Sequence, residues 1–260
     1  MRRAPARGKM SDMNGHAFGI DFGGTGIKGA PVDLERGDFA AERVRVTTPR
    51  PATPTAIAGV FTELLGHFPD STGPVGVTVP AVVRHGVVGS AANIDPSWVG
   101  TDADALFSEA TGREVHVVND ADAAGLAEVT YGAASGQRGL VIVTTLGTGI
   151  GSAFIHDGVL VPGSELGHLE IDGYDAESRA ANSARQAEEL SWEQWAERLT
   201  RYYSVVERLF SPELFVVGGG VSKDADSFLP LIDIATPIVP ATLLNRAGVV
   251  GAALYATRAG

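Results

Sequence analysis

The chain has 260 residues, 44% apolar and 20% charged, which fits one large domain or two modest lobes and excludes a disordered protein. Its 20 basic and 31 acidic residues leave a formal charge of −11, which opposes general contact with nucleic acid or an anionic membrane. Cysteine is absent, which excludes disulfides, thiolate nucleophiles and Cys-ligated zinc together and suits a reducing cytoplasm.

Residues 1–16 (MRRAPARGKMSDMNGH) are basic and polar and lack the apolar segment of a signal peptide. A flexible tail is expected there, with Met10 or Met13 as alternative starts. No apolar run approaches the length of a membrane helix. "AFGIDFGGTGIKGAPVDL" (17–34) reads as strand, glycine turn, strand. Residues 53–68 predict a helix capped by Thr53, with Pro54 at its first position and Ile57, Val60, Phe61, Leu64, Leu65 and Phe68 on one face. "PVGVTVPAVV" (74–83) predicts the next strand. A helix over Asp102–Thr111 stops at Gly112, and "EVHVV" (114–118) predicts a strand that delivers Asn119 and Asp120 to its end.

The second half repeats this order. Residues 139–161 read as strand, glycine turn, strand, then a tight turn at Asp157-Gly158. Residues 191–210 predict a helix capped by Ser191, with a buried stripe of Trp192, Trp195, Leu199, Tyr202, Val206 and Leu209. "ELFVVGGG" (213–220) predicts a strand ending in glycines, and 246–256 a closing helix. The alternation predicts an α/β protein built twice over, with two lobes facing one cleft. The expected division is a small N-terminal lobe over 17–120, completed by the closing helix (246–258), and a larger C-terminal lobe over 121–245.

Three glycine turns fall at strand ends. In "DFGGTGIKG" (21–29), Gly23 and Gly24 let backbone N–H groups converge on an anion, Thr25 adds a hydroxyl and Lys28 a positive charge. Asp21 would repel a bare phosphate and makes sense beside one with Mg²⁺ between them; an ordinary glycine-rich hairpin is the equal alternative. "TTLGTGIGS" (144–152), with Thr148 and Gly149, is a second such turn in the matching place. "VVGGGVS" (216–222) is a third, with Gly219 where open α/β sheets bind ligands.

In "VVNDADAAGLAE" (117–128) two acids stand where a strand hands over to a helix. Asp122 is read as a favourable charge at the helix N-terminus. Asp120 is placed to take a proton from an attacking hydroxyl, and Asn119 to hold a hydroxyl; a simple helix cap by either is as consistent with the pattern. Glu165 and His168 in "GSELGHLEIDG" (163–173) fit vicinal hydroxyls, with a metal pair or a surface loop as alternatives. Asn93 in "SAANID" (90–95) is a further hydroxyl ligand or a turn residue.

Taken in order, Asp21-Phe-Gly-Gly-Thr-Gly-Ile-Lys28, Asn119-Asp120, Leu146-Gly-Thr-Gly-Ile-Gly151 and Glu165-Leu-Gly-His168 resemble the ROK family of sugar kinases, from Ala17 to the last helix. The resemblance implies the actin-like, ribonuclease-H-like two-lobed fold. "SAANID", "NDADAAGLAE", "ELGHLEIDGYDAES" and "ATPIVPA" are similar to the polyphosphate glucokinases within that family. Their resemblance implies Mg²⁺-dependent phosphoryl transfer from polyphosphate, with ATP as an alternative donor, to the 6-hydroxyl of glucose, with mannose as an alternative sugar. It implies a cytoplasmic homodimer with no nucleic-acid or membrane partner.

By position, the resemblance makes Asp120 the general base and gives Asn93, Asn119, Glu165, His168 and Glu177 to the sugar. Gly23, Gly24, Thr25, Lys28, Thr148 and Gly149 would line the donor, with Asp21 near Mg²⁺. Many family members carry a Cys-rich zinc motif after the Gly-His pair; this chain has no Cys, so zinc in that form is not expected. A cationic track for a polyanion has Lys28, Arg84, Arg138, Arg179, Arg185, Lys223 and Arg246 as candidates. The competing readings are an ATP-only hexokinase of the same family and a noncatalytic sugar-responsive regulator. The latter would need a DNA-binding helix-turn-helix, for which the sixteen residues before Ala17 are too few.

Overall fold

The computed structural model describes residues 15–91 and 94–259. The first fourteen residues of the expected tail, and Asn93, lie outside them. β1 (His16–Phe22) and β2 (Ile27–Asp33) form the opening hairpin, followed by short β3 (Asp38–Phe39) and β4 (Val44–Val46). α1 (Pro54–Gly66) starts where Thr53 Oγ1 accepts from the Ala56 N–H at 3.4 Å. β5 (Val75–Val79) is shorter than the expected 74–83 strand. It ends at Pro80, which has no N–H for a sheet ladder, and the chain continues into a small hairpin of β6 (Val83–Arg84) and β7 (Val87–Val88). α2 (Ala103–Thr111) is capped by Asp102 and stopped by Gly112 in the left-handed conformation, φ 66°. β8 (Val115–Asn119) then runs directly into α3 (Asp120–Tyr131).

In the second half, β9 (Leu140–Leu146), β10 (Ile150–His156) and β11 (Val159–Val161) form a meander. The hairpin of β12 (Glu170–Ile171) and β13 (Tyr174–Asp175) and the short helices α4 (Glu177–Ala180) and α5 (Asn182–Ala187) follow. α6 (Trp192–Phe210) begins with a capping box between Ser191 and Gln194. β14 (Leu214–Gly218), β15 (Ile238–Pro240) and α7 (Ala247–Ala256) complete the chain. In α6 the apolar period runs one turn beyond the last side chain that the core takes up, Val206. Leu209, expected in the buried stripe, is 57% exposed.

The two halves build two sheets of the same plan. In the first, the order β3-β2-β1-β5-β8 sets an antiparallel hairpin beside parallel strands; in the second, β11-β10-β9-β14-β15 does the same. Each sheet has its own apolar layer. Phe18, Phe61, Trp98 and Phe107 fill one, and Trp195, Tyr202, Tyr203, Phe215 and Phe228 the other.

α7 ties the halves together. It lies on β1 and β5 and against α3, closely enough that backbone meets backbone. A Cβ at Gly76 would collide with the Ala252 carbonyl, and one at Gly251 with the Ala123 carbonyl, so both positions need a residue without a side chain. The turn before α7 is held by Glu128 of α3, which is 1% exposed. Its Oε1 accepts from the Leu243 N–H at 2.8 Å, and its Oε2 from Ala133 N–H at 2.8 Å, Thr242 N–H at 3.2 Å and Thr242 Oγ1 at 3.3 Å.

Replacing Glu128 by Ala would leave these buried donors without an acceptor, at a cost of roughly 3 kcal/mol or more. Urea denaturation should show that loss as a lower midpoint; an unchanged midpoint would refute the clamp.

Candidate functional site

The ends of β1, β5 and β8 meet at one edge of the first sheet. Asp21 stands opposite Lys28 in β2 and beside Thr78 in β5. The buried Thr78 hydroxyl accepts from the Phe22 N–H at 3.1 Å and donates to Asp21 Oδ1 at 3.2 Å. Lys28 Nζ lies 3.1 Å from Asp21 Oδ2, so its charge is already paired. In the turn that follows, the Gly23 N–H donates to the Gly26 carbonyl and the Thr48 hydroxyl to the Gly23 carbonyl at 2.6 Å. Gly24 and Thr25 are exposed, and a Cβ at Gly24 would meet nothing within 4 Å. The turn is therefore open above at Gly24 and Thr25, while the Gly23 N–H is taken up within it.

At the end of β8 the cap falls to Asn119. Its Oδ1 accepts from Ala121 N–H at 2.8 Å and Asp122 N–H at 3.2 Å, and its Nδ2 donates to the Ala81 carbonyl at 3.1 Å. One amide hydrogen of Asn119 is left for a ligand. Asp120, relieved of capping, shares the Ala121 N–H through Oδ1 at 2.9 Å. Its carboxyl stands in a recess: protein crowds it on most sides, while water reaches it through the mouth. That crowding, with the negative charges of Asp21 and Glu165, pushes its pKa up to about 6. Asp122 stands in the first turn of α3, as expected, but it is buried. It is 3% exposed, and burial together with Glu165 and Asp120 pushes its pKa up to about 7.

The third side comes from the second half. Glu165 opens a single 3-10 turn over Leu166–His168, and its carboxyl is held above its ordinary pKa by partial burial and by Glu177. His168 Nδ1 meets Asp175 Oδ2 at 3.0 Å, which raises the imidazole pKa and leaves Nε2 free. Glu177 Oε2 accepts from the Ile150 N–H at 3.0 Å and fills the space beside Gly149. This pins the second glycine turn. Next to it, a cavity of about 370 Å³ is lined by Thr148, Asp175, Glu177, Ser178 and Ser183 among others. Its lining includes none of Asp21, Lys28 or Asp120. Gly219, with φ 86°, passes against the Leu146 backbone at the start of the same turn.

Asp120, Asp21 and Glu165 thus share one electrostatic neighbourhood, and Glu165, His168 and Glu177 another that overlaps it. Among the described residues one grouping offers three metal donors within 4.8 Å: His168, Asp175 and Glu177. Protein partners account for all three, through the His168–Asp175 and Glu177–Ile150 hydrogen bonds. Of the cationic candidates, Arg179 stacks over Tyr174 at 4.6 Å, Arg185 over Trp192 at 4.0 Å, and Arg246 pairs with Asp38 at 3.0 Å.

A family model described as ROK family matches residues 17–178. The chain belongs to the ROK family. A polyphosphate glucokinase from Mycobacterium tuberculosis (strain CDC 1551 / Oshkosh) is 50% identical over 240 residues, 92% of this chain and 90% of that protein. The 1.8 Å crystal structure of the inorganic polyphosphate/ATP-glucomannokinase from Arthrobacter sp. strain KM is 56% identical, covers 95% of this chain and all of that one, and superposes with a TM-score of 0.89. A ROK glucokinase from Streptomyces griseus, in complex with glucose and AMPPNP, shares the fold at 24% identity with a TM-score of 0.79. The ROK fold is the actin-like one, and the paired sheets described above are its two halves. No described helix is long and apolar enough to cross a membrane.

Thr78, Asp175 and the buried setting of Asp122 were not foreseen. Thr78 had a signal, a lone hydroxyl inside the apolar run VGVTV; Asp175 sits in a two-residue strand whose pairing no local pattern announces.

The raised carboxyl pKa values carry a sign. A carboxyl whose pKa is higher folded than unfolded binds its proton more tightly in the native state. Its ionisation therefore removes stability as pH rises through the folded pKa. For Asp122 the window runs from its ordinary 3.8 to about 7. The urea midpoint should rise between pH 8 and pH 5, and Asp122→Asn should flatten that slope; a midpoint that falls on acidification would contradict the assignment.

Proposed function

We propose that this protein transfers a phosphoryl group from inorganic polyphosphate to the 6-hydroxyl of glucose, with ATP as a second donor and mannose as a second sugar. The observation that carries this reading is Asp120, an open carboxyl at a strand end facing Asp21 from one half and Glu165 from the other, beside two glycine turns. The names borne by the Mycobacterium and Arthrobacter relatives support the sugar and both donors.

Asp120 accepts the 6-hydroxyl proton as that oxygen attacks the terminal phosphorus and the bond to the bridging oxygen breaks, which shortens the donor by one phosphate. No covalent enzyme intermediate is needed; positioning carries the rate. Glu165, His168 through Nε2, Glu177, Asn93 and the remaining Asn119 amide hydrogen hold the other hydroxyls. Gly23, Gly24, Thr25, Lys28, Thr148, Gly149 and Gly219 line the donor. The residues present fit Mg²⁺. Asp21 offers two hard carboxylate oxygens, each with a single protein partner, in a field of uncompensated negative charge. Asp21 would hold the ion, whose charge offsets that of the phosphate chain.

The two lobes, 17–120 with 246–258 and 121–245, would close over the sugar and exclude water as a competing acceptor. A homodimer is supported by an apolar patch. Val161, 51% exposed, pairs with Phe154, which stacks on Phe210, and Val159 beside them is 67% exposed. Charged donors and products suit a cytoplasmic setting.

Asp120→Asn should lower kcat by about a thousandfold and leave the glucose KM within about threefold. In the wild type, kcat/KM should fall about tenfold per pH unit below about 6, as the base protonates. Near-normal turnover of the Asn variant would remove Asp120 as the base. Incubation with glucose and Mg²⁺ should yield glucose 6-phosphate from polyphosphate and from ATP; product from neither would refute the reaction. Added salt should raise the polyphosphate KM more steeply than the ATP KM.

A further inference from the structure

Asp122 is the acidic side chain that the proposed reaction leaves unused. It lies two residues past Asp120 on the first turn of α3 and is 3% exposed. A helix N-terminus favours a carboxylate that water can also solvate; it does not account for burying one. Burial costs free energy unless both oxygens find partners. Here Oδ2 accepts a single hydrogen bond, from the Gly163 N–H at 3.3 Å, and Oδ1 has no partner. The one group that Asp122 engages from outside its own helix is therefore the loop that leads from β11 into Glu165.

That loop has a second anchor. Ser152 of β10, 2% exposed, takes a hydrogen bond on its carbonyl from Ser164 Oγ at 2.9 Å. Its own hydroxyl donates to the Ser164 carbonyl at 3.0 Å and accepts from the Leu166 N–H at 3.0 Å. Residues 163, 164 and 166 are each tied down. Glu165 between them makes no capping hydrogen bond of its own. Its carboxylate is placed by the backbone on either side.

We propose that Asp122 is a positioning residue: it holds the Gly163 backbone against the helix that carries Asp120, and so fixes where the Glu165 carboxylate meets the sugar. One helix then supports the base directly and the sugar ligand through the loop. A shift of the loop misplaces the hydroxyls relative to Asp120 without touching the glycine turns that serve the donor. The inference rests on the reading above, in which Glu165 binds the sugar.

Steady-state kinetics with both substrates varied tests it. Asp122→Ala should raise the glucose KM about tenfold and leave the polyphosphate KM within twofold. Asp122→Asn keeps an acceptor for the Gly163 N–H and should stay within threefold of wild type for glucose. Ser152→Ala, which loosens the other anchor, should also raise the glucose KM selectively. A merely structural role would lower the thermal midpoint and the active fraction while both KM values stayed put. Glu165→Gln separates the two failures. If it leaves the glucose KM unchanged, the sugar-binding reading is wrong. If it raises that KM while Asp122→Ala does not, or raises both KM values alike, the positioning role is wrong. Asp122→Ser, too short to reach Gly163, replaces the Ala variant should that one not fold, and loss of folding in both overturns the proposal.

Discussion

Negative charge left uncompensated around Asp120 is the constraint on which the rest of the site depends. Asp21, Asp120, Asp122, Glu165 and Glu177 converge from β1, α3, the loop after β11 and α4: Asp21 and Glu165 raise the pKa of Asp120, Glu165 and Asp120 that of Asp122, and Glu177 that of Glu165. A protein that needed only stability would not gather carboxyls so closely, because like charges repel and burial penalises each of them. Among the described residues the one ammonium paired with any of them, Lys28, is spent on Asp21. The field is poised for what it lacks: a cation and a proton donor. In the proposed reaction a metal-bound phosphate chain and a sugar hydroxyl would supply one each.

The frame that gathers these charges is a plan used twice. Each half begins with a hairpin whose turn is rich in glycine and continues into parallel strands. Pairing depends on small residues. α7 approaches β5 at Gly76 and α3 at Gly251 with no side chain between the backbones, and Glu128 anchors the turn that delivers it. Asp120, the proposed base, and the clamp at Glu128 belong to one helix, so the reacting group would be carried on the element that α7 packs against.

Legibility followed the range of the interaction. Thr53, Asp102, Gly112 and Ser191 act within three or four residues of themselves, and the elements they bound are where local chemistry placed them. The short strands β3, β4 and β15 and the helices α4 and α5 have too few residues to show a period. Strand β5 ended early because one missing N–H outweighed an apolar run that reads through Pro80. Motif order singled out the glycine turns, Asp120, Glu165 and His168 as candidates. Local pattern left open which of Asn119 and Asp120 would take the cap, and it did not reveal that Asp122 would turn inward to Gly163, since that contact closes over 41 residues.

The position of α7 has a consequence for how the protein is made. The helix that covers β1 and β5 follows the whole second half in chain order, so the first sheet waits through the synthesis of that half with one apolar face bare. The nascent N-terminal half cannot mature by itself. Its completion is deferred until the second half has been made, an interval in which a chaperone would find that surface uncovered.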